Sequence, residues 1–88
     1  MVSKAFKVTN SLGLHMRPAS FFVSEMAKFS SDVRIKFNDL DVDGKSLMSV
    51  IAACIKCGSD IEIECSGDDE QAALDKASEL IESGLGEE

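Results

Sequence analysis

Asp32-Val33-Arg34-Ile35-Lys36-Phe37 alternates without a break: Val33, Ile35 and Phe37 fall on one side of an extended chain, Asp32, Arg34 and Lys36 on the other. A period of two belongs to a strand with one buried and one wetted face. Asn38-Asp39 follows, a pair suited to a tight reversal, and Leu40 and Val42 then resume the alternation. Residues 32–42 therefore read as a β-hairpin whose apolar face needs a second layer to cover it.

The flanking sequence supplies that layer. Gly44-Lys45-Ser46 opens a second helix expected to run to about Cys57, with Gly58 as its terminator. Asp60–Ser66 alternates again, with Ile61, Ile63 and Cys65 inward and Glu62 and Glu64 outward. Gly67-Asp68-Asp69-Glu70 starts a third helix with acids where the helix dipole favours them. Its stripe is Leu74, Ala77 and Ile81, with Ala73 and Leu80 beside it, and Gly84 ends it. On the other side of the hairpin, residues 16–29 carry Ala19, Phe22, Val23 and Met26 at helical spacing, with Pro18 in the first turn. Ser11–Leu14 reads as a loop and Val2–Val8 as a strand. The order β-α-β-β-α-β-α with half-polar strands predicts an α+β fold. It is a two-layer open-faced sandwich, a four-stranded antiparallel sheet with three helices on one face, formed by a single domain over residues 1–88. The sheet face bearing Arg34, Lys36, Glu62 and Glu64 is expected to be solvated.

Nine Lys and Arg against sixteen Asp and Glu give a net charge of −7. That excess argues against direct binding of nucleic acid, which depends on a surplus of cations. No apolar run approaches the roughly 20 residues of a membrane span, and the N-terminal stretch lacks the apolar core of a signal peptide. A cytoplasmic location is expected, with no membrane partner. Cys54-x-x-Cys57 matches half of a zinc or redox motif, but one histidine and three cysteines are a thin ligand supply. The cysteines are expected to be small buried hydrophobes, and no metal or cofactor is expected. A metal- or redox-active domain built on Cys54 and Cys57 is the remote alternative.

The single histidine lies in Gly13-Leu14-His15-Met16-Arg17-Pro18-Ala19-Ser20, at the junction of loop and first helix. First-turn N–H groups have no intrahelical partner and, with the dipole, favour an anion. An imidazole at that cap could accept a phosphoryl group whose oxygens then meet those amides, with the Arg17 guanidinium suited to the same oxygens. Such a protein would be a carrier rather than a hydrolase, since no acidic residue in the local motif could act as a general base toward water.

This stretch resembles the phosphohistidine signature of the HPr family, the phosphocarriers of the bacterial phosphoenolpyruvate:sugar phosphotransferase system. Lys45-Ser46-Leu47-Met48 resembles the family's regulatory-serine signature, and the likeness spans essentially the whole chain. The resemblance implies that His15 takes phosphate on Nδ1 from the phosphorylated first enzyme of the system and passes it to sugar-specific acceptor domains. It implies Arg17 as the phosphate-stabilising residue and Ser46 as a regulatory phosphorylation site, served by a Ser kinase and phosphatase in many Gram-positive-type bacteria and not in others, and read by a transcription regulator. Ser46 also stands where a helix N-cap belongs. The implied docking face is Ser20, Phe21 and Ser24 on the first helix with Leu47, Met48 and Ile51 on the second, presented by a monomer. The first of these elements carries Phe21 opposite its apolar stripe, and the second is apolar around most of its circumference, so part of it must stay exposed. Arg17 and Lys45 are expected to keep the phosphate-handling end basic.

Leu12 departs from the small polar residue common at that position. Asn10-Ser11-Leu12-Gly13 looks more like the nitrogen-branch paralogues, whereas Lys45-Ser46-Leu47-Met48 leans toward the sugar system. A second functional reading is accordingly a nitrogen-branch or other regulatory paralogue whose main output is binding to regulators. A paralogue used only for regulation lacks the reactive histidine, which His15 excludes.

Overall fold

The computed structural model describes residues 1–10 and 12–85. Ser11, expected in the loop ahead of Gly13, lies outside the described residues. Seven elements follow in the expected order: β1 (Val2–Lys7), α1 (Met16–Met26), β2 (Asp32–Phe37), β3 (Leu40–Asp43), α2 (Leu47–Ala52), β4 (Asp60–Ser66) and α3 (Glu70–Glu82). The strands form one antiparallel sheet in the order β1-β4-β2-β3. Phe37 pairs with Leu40 across the two-residue turn, and Asn38 absorbs the reversal at φ +55°. Asparagine is among the few residues that adopt that backbone readily.

Register puts Val33, Ile35, Ile61, Ile63 and Cys65 on one face, all buried, and the helices cover it. Phe22 and Met26 of α1, Val50 of α2, and Ala73, Leu74, Ala77, Leu80 and Ile81 of α3 are the largest part of what the helices add to the core. Each fully buried Phe, Met, Ile or Val side chain contributes about 1.5–3 kcal/mol from apolar burial. The opposite sheet face is wet, as its alternation required. There Arg34 pairs with Asp41 at 2.9 Å and Lys36 with Glu64 at 3.2 Å.

Two helices are shorter than their periodicity suggested. The first stops at Met26, and the chain turns through Ala27 and Lys28 so that Phe29 can pack against the core. The second stops at Ala52, five residues before Cys57, because Cys54 takes a left-handed conformation at φ +53°. That reversal buries Ile55 and sends the chain alongside β1. There Gly58 N–H donates to Val8 O at 2.8 Å, and Val8 N–H to Ser59 O at 2.9 Å. The early exit also corrects the expectation for the cysteines. Cys54 and Cys57 are exposed on this loop, and only Cys65 is buried. Burial raises the Cys65 thiol pKa, so it stays a neutral core group. Among the described residues no cluster of three or more His, Cys, Asp or Glu is placed to hold a metal ion. None of their helices is long and apolar enough to cross a membrane.

Candidate functional site

Among the described residues, three of the hydrogen bonds that hold the loop ahead of α1 tie it to itself, to the α2 exit and to the end of the chain's last helix. Gly13 N–H donates to Asn10 O at 2.8 Å, Leu14 N–H to Ile55 O at 2.9 Å, and the buried Asn10 side chain to Gly84 O at 2.9 Å. Gly13 sits at φ +70°, and a Cβ there would lie 2.3 Å from Ile55 O and 2.7 Å from Lys56 Cα. Only glycine fits, so the loop before His15 and the loop after α2 are pressed backbone to backbone.

His15 is the N-cap of α1, in extended conformation, and its side chain makes no capping bond. Its carbonyl accepts the Ala19 N–H at 3.0 Å, the first bond of the helix. Pro18 has no N–H, so the first turn leaves two amides, those of Met16 and Arg17, without an intrahelical acceptor. Both point toward the helix end where His15 stands, the end at which the dipole favours an anion. Nε2 of the ring is turned inward, shielded from solvent. The ring itself is partly exposed, Arg17 is exposed, and Pro18 and Ala19 are buried. Buried neighbours on one side of the turn and solvent on the other hold the imidazole at the surface.

His15 lines an open hollow of about 310 Å³ with Leu12, Leu14 and Met16 from its own loop and Ile51, Cys54, Ile55 and Lys56 from α2 and its exit. Leu12 is 74% exposed and Met16 58%. Of the residues expected at a docking face, Ile51 reaches this hollow and Met48 stands out at 81% exposure. Phe21 is exposed at 39%, and Ser24 is exposed beside it on α1. Ser20, Leu47 and Ile51 are half-buried, the latter two packed partly against the core. Ser46 is the N-cap of α2, its Oγ accepting the Ser49 N–H at 3.3 Å, and it does not line the His15 hollow.

Lys45 corrects an expectation. Its ammonium donates to Phe29 O at 2.6 Å, beyond the C-terminal end of α1, and so lies at the end of that helix away from His15. The peptide carbonyls left over where α1 stops attract the nearest cation. Met16 and Lys56 line the hollow without having been singled out in the sequence, whereas Leu12 stood out there as a departure and Cys54 as half of a Cys-x-x-Cys motif. Lys56 carried no local signal, being one exposed lysine between Ile55 and Cys57.

Comparison with known proteins places this geometry. Residues 2–83 match the family model described as the PTS HPr component phosphorylation site. The chain belongs to the HPr family. It is 36% identical over 88 residues to the phosphocarrier protein HPr of Treponema pallidum (strain Nichols), covering 100% of each chain. It is 41% identical over 85 residues to the multiphosphoryl transfer protein of Vibrio cholerae, matching 93% of this chain and 21% of that longer protein. The crystal structure of HPr-C-His from Thermoanaerobacter tengcongensis superposes with a TM-score of 0.96 at 35% identity, over 100% of this chain and 99% of that one. That structure shares the α+β architecture of this chain, and these relatives come from bacteria.

Proposed function

We propose that this HPr-family chain is a stoichiometric phosphoryl carrier, not an enzyme with turnover of its own. His15 accepts a phosphoryl group on Nδ1 from the phosphorylated first enzyme of the phosphotransferase system and yields it to sugar-specific acceptor domains. The observation that carries this reading is the cap itself. An imidazole stands at the N-terminus of an 11-residue helix, with the Met16 and Arg17 amides directed to where its phosphoryl oxygens would lie. With Nε2 turned inward, Nδ1 is the nitrogen a donor would meet. Arg17, exposed on the first turn, supplies a guanidinium to the same oxygens.

Ser20, Phe21, Ser24, Leu47, Met48 and Ile51 form the proposed docking face, and the carrier works as a cytoplasmic monomer with neither nucleic acid nor membrane as direct ligand. Ser46 is the proposed regulatory phosphorylation site, open to a Ser kinase and phosphatase and read by a transcription regulator. Its position at a helix N-cap would accommodate phosphate without unfolding. Leu12, exposed at the hollow, favours a second reading in which the chain serves the nitrogen branch and its regulators. The phosphotransfer chemistry is common to both readings.

The test is a label transferred from 32P-phosphoenolpyruvate through the first enzyme. An acid-labile, base-stable label is expected on the wild type and none on a folded His15→Ala protein. An acid-labile label retained by His15→Ala overturns the assignment.

A further inference from the structure

The chain has nine Lys and Arg. Lys4, Lys7, Lys28, Arg34, Lys36 and Lys76 each meet a carboxylate at 2.9–3.5 Å, and Lys45 is bound to the Phe29 carbonyl. Among the described residues this leaves two cations with neither a carboxylate nor a carbonyl partner for their side chains, Arg17 and Lys56. In a chain of net charge −7 both stand beside the one histidine, Arg17 on the first turn of α1 and Lys56 on the wall of the His15 hollow.

Lys56 is held there by its own backbone. Its N–H donates to Ser59 Oγ at 3.2 Å and its carbonyl accepts the Ser59 N–H at 3.0 Å. Its Cα fills the space that a side chain at Gly13 would occupy, two residues from His15. Arg17 does not line that hollow, so the two cations approach the imidazole from different elements.

Resting on the phosphocarrier reading, we propose that Lys56 is a second phosphate-directed cation of the His15 site, pairing with a phosphoryl oxygen from the α2-exit loop. In the transfer, the Nδ1 lone pair bonds to phosphorus as the donor's bond to phosphorus breaks, and that bond's electron pair leaves with the donor. Charge on the equatorial oxygens persists throughout, and a cation already in place stabilises it without reorganisation.

Phosphoramidate, a chemical phosphoryl donor that leaves as ammonia, tests this with the whole chain and no partner protein. Phosphohistidine formation is followed by 31P NMR at low salt and at 1 M salt. Lys56→Met is expected to slow phosphorylation about two- to fivefold at low salt, the scale of a solvent-exposed charge pair. The deficit should shrink at 1 M salt and be restored by Lys56→Arg. Lys76→Met, which removes a cation from α3, should react at the wild-type rate. A wild-type rate for Lys56→Met overturns the proposal, as does an equal slowing by Lys76→Met, which would make the effect one of net charge alone. A wild type that forms no phosphohistidine beyond His15→Ala refutes the carrier reading itself, and Lys56 with it.

Discussion

Gly13→Ala is the sharpest test of how the His15 loop is built. An alanine there must hold φ near +70°, which costs roughly 1–2 kcal/mol for a residue with a Cβ. Its Cβ would also lie 2.3 Å from Ile55 O and 2.7 Å from Lys56 Cα, both backbone atoms that cannot swing aside as a side chain does. The two loops must part by about 1 Å, and that stretches the Leu14 N–H to Ile55 O bond, 2.9 Å in the native loop, past hydrogen-bonding range. Losing that bond costs a further 0.5–1.5 kcal/mol or so. The expected total is about 1.5–3.5 kcal/mol, a large share of the roughly 4–13 kcal/mol available to a domain of this size. Gly58→Ala is the matched control. It sits at φ +88° with nothing within 4 Å of where its Cβ would stand, so it should cost only the roughly 1–2 kcal/mol of backbone strain. Urea unfolding followed by circular dichroism, with unchanged slopes, reads the difference between the two. If both variants lose the same stability within about 0.5 kcal/mol, the close approach of the two loops is not what holds His15 in place.

Ser46→Ala should cost about 0.5–1 kcal/mol in the same assay, the low end for a cap because its bond to Ser49 is long, whereas Ser46→Asp keeps an acceptor at the cap and should unfold near the wild-type midpoint. The proposed regulation also predicts that Ser46→Asp alters binding to at least one donor, acceptor or regulator by titration calorimetry, and unchanged binding to all of them would count against it. Asp69 accepts hydrogen bonds from the Ser31 hydroxyl, Ser30 N–H and Ser31 N–H, which hold its pKa at about 2, below the ordinary 3.8. The depressed value means its stabilisation is complete above about pH 4 and is lost as pH falls through about 2. Asp69→Asn should therefore lower Tm at pH 6 and flatten the fall in Tm between pH 4 and pH 2; a wild-type pH profile would refute the linkage.

The strands and their faces were legible because alternation is a local signal and the sheet has one dry side. Val33, Ile35, Ile61 and Ile63 could be assigned inward from spacing alone, and burial agrees. Helix ends were less legible. The apolar run of α2 continues past Ala52 to Ile55, so periodicity gave no stop, and the reversal at Cys54 is set by tertiary pairing of the exit loop with Val8 and Leu14. The same pairing exposed Cys54 and Cys57 and brought Lys56 to His15, none of which a local pattern can carry. Lys45 was misplaced for a related reason: its neighbour in sequence is Ser46, but its partner is a carbonyl 16 residues earlier. The placement of His15 at the cap and of Arg17 on the first turn was legible through the loop-to-helix junction, since a cap and a first turn are fixed by the chain itself.

The geometry also decides how a phosphate on Ser46 would act. Ser46 and Ile51 are five residues apart, about 7.5 Å along α2, and Ile51 is where that helix reaches the His15 hollow. Over about 10 Å of water a unit charge pair is worth about 0.4 kcal/mol, and screening at physiological ionic strength, with a Debye length near 8 Å, reduces it further. Two charges at Ser46 acting on one charge about 10 Å away are thus worth about 0.8 kcal/mol before screening and less after it. Met48 is two residues from that phosphate and 81% exposed. A partner seated on Met48, Leu47 and Ile51 would have to strip water from a doubly charged group beside an apolar contact, at a cost of several kcal/mol. The greater penalty falls on docking, so the proposed phosphate on Ser46 should change which partners bind while leaving phosphoramidate labelling of His15 nearly untouched. A Ser46→Asp protein that reacts with phosphoramidate many-fold more slowly than wild type would reverse that conclusion.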